Sequence, residues 1–182
     1  MYFYSILRRP IYSLTLLLAL TLCALSARAQ VGVYATFSAA KYDLPNTNWI
    51  YGPTLGVYDD VFHLPLISLG FDARAAILGS GGSTQLTSGM VGPRISAHLP
   101  LIPIKPYVEG LVGAAHVVAG QGTAHTDDLF LQTGVTAGAD LTIFPRLDWR
   151  VAEYSYSRFP GLENGVNQKS LSTGLVFRLP IP

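Results

Sequence analysis

The chain has 182 residues, 49% of them apolar and 13% charged, about half the ~25% charged fraction of ordinary soluble domains. That length fits one domain, the formal net charge of +1 gives no excess of basic residues and argues against a nucleic-acid partner, and the single cysteine excludes a disulfide framework.

The N-terminus reads MYFYSILRRPIYS, with Arg8 and Arg9 and no acid, followed by an apolar stretch from Leu14 to Leu25 and then SARAQ. A positive segment, an apolar segment of secretory length and the small-residue pattern Ala27-Arg28-Ala29 predict a signal peptide over 1–29, cleaved after Ala29 on the general secretory route. At ~1.5 Å per residue the apolar stretch spans about 18 Å, short of the ~30 Å hydrocarbon core, which argues against a membrane helix. Cys23 follows Leu22 where a lipoprotein signal wants a small residue, so no lipid anchor is expected. Removing 1–29 takes away three arginines and the cysteine. One domain is left, residues 30–182, with 153 residues, nine basic and eleven acidic side chains, and a charge near −2.

From residue 30 the apolar period is two rather than 3.6. It predicts eight strands, at 31–40, 50–61, 66–78, 86–98, 106–118, 129–143, 148–159 and 169–179. Each is near the ~10 residues a tilted strand needs to cross a bilayer. In the third strand Ile67, Leu69, Phe71, Ala73, Ala75 and Ile77 share one face, opposite Ser68, Gly70, Asp72, Arg74 and Ala76. The fourth sets Val91, Ile95, Ala97 and Leu99 against Gly92, Arg94, Ser96 and His98, and the sixth sets Leu131, Val135, Ala137, Ala139, Leu141 and Ile143 against Gln132, Gly134, Thr136, Gly138 and Asp140. In the eighth, Thr173, Leu175, Phe177 and Leu179 oppose Ser172, Gly174, Val176 and Arg178. Pro53 and Pro93 each remove a ladder hydrogen bond inside a strand, and a bulge is expected at both.

The segments between strands alternate too. KYDLPNTNW, GSGGSTQ, AGQGTAHTDD and PGLENGVNQ are longer and polar, whereas HLPL, LPLIPIK and FPRL are tight and apolar or proline-marked. Long loops on one side and short turns on the other is the asymmetry of outer-membrane barrels. Inside hydrocarbon every backbone N–H and C=O needs an internal partner, which a closed barrel supplies. The competing reading, a soluble lipocalin-like barrel, would expose a full belt of Leu, Ile, Phe and Val to water, and soluble monomers rarely carry one.

With the apolar face outward, the polar face lines a narrow lumen that side chains fill. Asp72, Arg74, Arg94, Glu109, Asp140, Glu153 and Arg178 are expected there as a paired charge network, since buried charges persist only when paired. Arg150 lies three residues from Glu153, so the two are expected on opposite faces. Trp49, Tyr51, Tyr107, Trp149, Tyr154, Tyr156 and Phe159 lie toward strand ends, where interfacial aromatic girdles sit.

The segment Ser172-Thr173-Gly174-Leu175-Val176-Phe177-Arg178-Leu179 resembles the C-terminal signal read by the barrel-assembly machinery of Gram-negative outer membranes, with Ser172, Gly174, Phe177 and Leu179 at its marked positions. Leu179 stands where an aromatic is usual, and Pro180-Ile181-Pro182 is added. Residues 30–182 thus resemble the small eight-stranded outer-membrane barrels of the OmpA-like and OmpX-like class. The resemblance implies an all-β, antiparallel up-and-down transmembrane barrel in the outer membrane of a Gram-negative-type bacterium. It implies outer-membrane lipid as surroundings, the assembly machinery as a partner during biogenesis, and no cofactor.

His125, Asp127 and Asp128 in GTAHTDD are weighed as a cation site, but ligands adjacent in one loop make a poor preorganised site and no HExxH or paired spacing occurs. The His-x-Ser-Asn pattern of lipid deacylases of similar fold is absent, as is a GxSxG elbow; Ser96-Ala97-His98 has the reverse order. The expected role is envelope structure or surface interaction through the four longer loops, without catalysis and with an unassigned surface ligand. A narrow solute or ion pore and a lipid-modifying enzyme are the alternatives.

Overall fold

The computed structural model describes residues 30–44, 47–81, 84–99, 101–121, 124–162 and 165–179, with backbone alone at 119–121 and 124–127. The predicted signal peptide with its cleavage at Ala29 lies outside these residues. Eight strands run β1 Gln30–Tyr42, β2 Ile50–His63, β3 Ile67–Gly79, β4 Thr84–Ala97, β5 Ile104–Gln121, β6 Ala124–Phe144, β7 Leu147–Phe159 and β8 Val166–Arg178. Each pairs antiparallel with the next, and β8 returns to β1 in an unbroken ladder from Gly32↔Arg178 to Tyr42↔Gln168, so the barrel is closed. Closure gives every strand a neighbour on both sides and leaves no edge strand, as hydrocarbon surroundings require.

The alternation of the sequence becomes the two faces of the wall. Phe71 is 59% exposed and its neighbour Asp72 0% exposed, and Ile77, Leu55 and Val135 look outward while Glu109 and Asp140 are buried. Charged groups fill the middle and aliphatic groups cover the outside, the inverse of a soluble barrel.

The expected bulges at Pro53 and Pro93 do not occur. Pro53 keeps its pairing to Phe37, and the β2–β3 ladder skips from Tyr51↔Gly79 to Thr54↔Ala76 without a change of register. Pro93 likewise pairs with Phe71, and the β4–β5 ladder skips from Val91↔Val112 to Arg94↔Glu109. A missing N–H deletes a bond on one side only, and no extra residue is needed to absorb that loss. The irregularities fall elsewhere, at Asp60/Phe62, Ala139/Asp140, Thr142/Phe144 and Arg150/Glu153. AGQGTAHTDD also differs from its reading as a loop: β5 and β6 continue through it and pair up to Gln121↔Ala124. β6 pairs with β7 only from Thr133↔Arg158 inward, so its outer part is held by β5 alone.

Three inward tyrosines are seated by glycines directly across the ladder: Tyr34↔Gly56, Tyr58↔Gly32 and Tyr107↔Gly138. A Cβ on Gly56 would stand 2.3 Å from the Tyr34 ring, and one on Gly138 would stand 2.5 Å from the Tyr107 hydroxyl. The ring covers the bare backbone, and the absent side chain lets the ring lie flat. Gly138→Val should therefore destabilise the barrel by about 1–3 kcal/mol through overpacking, read as a lowered urea midpoint of the refolded protein.

Candidate functional site

Side chains from five strands meet in the lumen as a closed ring of ion pairs. Arg74 on β3 pairs with Asp72 at 2.9 Å, with Glu153 at 3.0 Å, and with Glu109. Glu109 on β5 passes to Arg94 on β4 at 2.6 Å, and Arg94 to Asp140 on β6 at 3.2 Å. Asp140 then meets Arg150 on β7 at 2.9 Å, and Arg150 closes the circuit to Glu153 at 2.9 Å. Three guanidinium groups thus face four carboxylates. The fourth, Asp72, also accepts from the Tyr34 hydroxyl at 3.0 and 2.9 Å, and Glu153 accepts from the Tyr107 hydroxyl at 2.6 Å. Arginine suits this position because its planar fork serves several carboxylates at once and stacks on rings. Arg94 lies 3.8 Å from the Tyr107 centroid and 4.2 Å from that of Tyr58, and Arg150 lies 4.0 Å from that of Tyr34.

Arg150 was expected on the other face from Glu153. The structure puts both inside, because a bulge turns Val151 and Ala152 outward together and advances the strand by one residue. Tyr107 and Phe159 are also corrected: both are buried inside the barrel rather than in a girdle. Parity could have shown this, since Tyr107 is two residues from Glu109 and Phe159 two from Ser157 on one strand face. Arg178 lies inward but outside the ring, in a second cluster at the short-turn end. There the buried Asp148 accepts from Arg178 at 2.9 Å and lies 3.5 Å from Lys105.

On the loop side of the ring is a chamber of hydroxyls and amides, with a cavity of about 50 Å³. Ser38 bonds Thr54 and Ser172 at 2.8 Å each, and Thr136 bonds Ser155 at 2.7 Å. Gln132 Oε1 and Gln168 Nε2 face it without a protein partner. Beyond the chamber the lumen is closed by an apolar cluster that includes Tyr42, Ile50, Leu86, Val117, Phe159 and Val166. Along the barrel axis the order is therefore charge, hydroxyl, hydrocarbon.

On the outer wall Trp49, Tyr51, Trp149, Tyr154 and Tyr156 are all exposed. Trp49 and Tyr51 stack at 6.5 Å near the loop end of β2, with Phe37 at 6.4 Å from Tyr51. Trp149 sits at the short-turn end of β7, Tyr156 toward its loop end, and Tyr154 near mid-strand, away from either rim. On β8, Ser172 is buried in the lumen and hydrogen-bonded to Ser38, while Phe177 and Leu179 point outward. His98 Nδ1 and Ser68 Oγ are 3.5 Å apart, too long for a strong hydrogen bond. Burial, then the nearby Lys105 charge, hold the His98 imidazole below its ordinary range. Among the described residues no group of three His, Cys, Asp or Glu side chains could hold a metal ion.

No protein-family model matches the sequence, and no curated protein matches it. Solved structures do match in fold. Neisserial surface protein A superposes with a TM-score of 0.60 at 17% identity, over 82% of this chain and 97% of that one. The chain has the fold of the small outer-membrane barrels. The attachment invasion locus protein Ail of Yersinia pestis matches with a TM-score of 0.56 at 13% identity, over 84% of this chain and 99% of Ail. The N-terminal barrel domain of OprF from Pseudomonas aeruginosa matches at 0.50 and 17% identity, over 82% of this chain and 100% of that domain.

Proposed function

We propose that this barrel is an integral outer-membrane protein that acts through its exterior, in envelope structure or surface interaction, with no transport and no catalysis. The observation that carries this reading is the filled lumen: the ion-pair ring occupies the middle and the apolar cluster closes the loop end. A through-path would have to break both. What remains accessible is the outer wall and the loop-end surface, and one protein of this fold, Ail, binds the heparin analogue sucrose octasulfate.

In this reading the signal peptide over 1–29 exports the chain, and the assembly machinery takes up β8 through Gly174, Phe177 and Leu179. Trp49, Tyr51, Trp149 and Tyr156 mark the two lipid interfaces. The second reading is a narrow pore, favoured by the polar chamber between ring and cluster. Planar-bilayer recording separates them: the refolded barrel should leave the membrane silent at high protein load. Stable unitary conductance, abolished by removing the protein, would make it a channel.

A further inference from the structure

Lys41 on β1, Lys169 on β8 and Arg158 on β7 occupy three adjacent strands, all on the outward face toward the loop end. Lys41 and Lys169 are direct cross-strand partners. Their Cβ atoms therefore stand ~4.5–5.5 Å apart, an arrangement that like charges disfavour unless an anion lies between them. Asp43 answers only one of the three, at 3.3 Å from Lys169 Nζ, and that pair is half-exposed and weak. Among the described residues no carboxylate is ion-paired with Lys41 or Arg158. Arg158 is diagonal to Lys169, whose direct β7 partner is Tyr156. The guanidinium lies beside Gly165, where an added Cβ would stand 3.0 Å from its Nη2.

Arg158 and Tyr156 also form one wall of an outward groove across β5, β6 and β7, with a volume of about 440 Å³. Val112 and Val135 line it, and Gly110 leaves it open, since a Cβ there would meet nothing within 4 Å. A mostly apolar groove that has Arg158 on its wall, with Lys169 and Lys41 on the next two strands, matches a lipid, its chain in the groove and its phosphate on the cations.

The geometry points to a binding site for a phosphorylated glycolipid of the outer leaflet, with one acyl chain in the Gly110 groove and its phosphates on Arg158, Lys169 and Lys41. This rests on the outer-membrane reading. A glycolipid with two phosphates fits better than a phospholipid with one, because β7 to β1 is two strand spacings, about 10 Å. Arginine and lysine are the ordinary phosphate partners.

The test uses full-length barrel reconstituted in phosphatidylcholine bilayers and titrated with lipid A or with phosphatidylglycerol, the bound lipid being read by mass spectrometry after repurification. Lipid A should be retained, and phosphatidylglycerol should be retained about tenfold less tightly, the loss of one hydrogen bond to a charged group converted to affinity. The triple variant Lys41→Ser/Lys169→Ser/Arg158→Ser should lose at least about tenfold in lipid A affinity. Gly110→Leu, which fills the groove while leaving the charges in place, should lose affinity as well. Heat-modifiable migration on a gel confirms that each variant is folded. Unchanged retention in either variant, or equal retention of phosphatidylglycerol, overturns the site. A wild-type barrel that inserts but binds no lipid A overturns this inference alone, whereas one that fails to enter bilayers overturns the outer-membrane reading beneath it.

Discussion

Arg74→Leu should destabilise the folded barrel by about 3–5 kcal/mol, the cost of stranding buried charge, and should be the most damaging single change in the lumen. Arg74 pairs with Asp72, Glu109 and Glu153 together, so its loss removes one cation from three anions at once. Asp72 would keep only the Tyr34 hydroxyl, Glu109 only Arg94, and Glu153 only Arg150 and Tyr107. Four carboxylates would then share two guanidinium groups. Asp140→Leu should cost less, because Arg94 keeps Glu109, Arg150 keeps Glu153, and the ring becomes neutral at three against three. Arg74→Lys should fall between, since an ammonium is a point charge that cannot fork to three carboxylates. Urea midpoints of the refolded proteins measure all three. A midpoint for Arg74→Leu equal to that of the wild type would mean that the ring does not support the barrel.

The strand count, closure and the identity of the two faces were legible because a period-two pattern has only two outcomes at each position. Asp72, Arg74, Arg94, Glu109, Asp140 and Glu153 followed from it, and the structure joins them in one network. The pattern fails where a strand gains a residue. Val151-Ala152 offers two side chains content to face outward, and nothing in their chemistry marks the extra step that brings Arg150 inward. Tyr107 and Phe159 follow position and not residue type: each lies two residues from Glu109 or Ser157 on the inward face of its strand. Tyr34 and Tyr58 were missed among apolar-looking segments; the available signal was pairwise, a tyrosine opposite a glycine on the next strand, and it appears only once the register is known. The prolines erred the other way. A lost hydrogen bond does not imply a register shift, because the ladder tolerates a gap on one side when the other neighbour still holds the strand.

Val91→Arg tests the outer wall as the ring variants test the inner one. Val91 is 51% exposed, and its direct partners are Ala73 and Val112, so it lies well inside the apolar belt. If lipid covers that belt, an arginine there should cost about 2–4 kcal/mol, the midplane value, falling to ~0–1 near an interface. Leu141 supplies the comparison on the same wall. It was expected to face outward, and it does so near the short-turn end, between Ile104 and Trp149. An arginine at Leu141 can extend its stem along the wall and place its charge among headgroups, so Leu141→Arg should be nearly neutral. The difference between the two sites, measured by urea unfolding from phospholipid vesicles, is more informative than either value. In water both positions would accept an arginine at little cost, because exposed aliphatic side chains gain nothing there from staying apolar. A wall that penalises Val91→Arg and tolerates Leu141→Arg is one whose surroundings change from oil to water over the height of the barrel. Equal and small costs at both sites would place the belt in water and remove the membrane from the account.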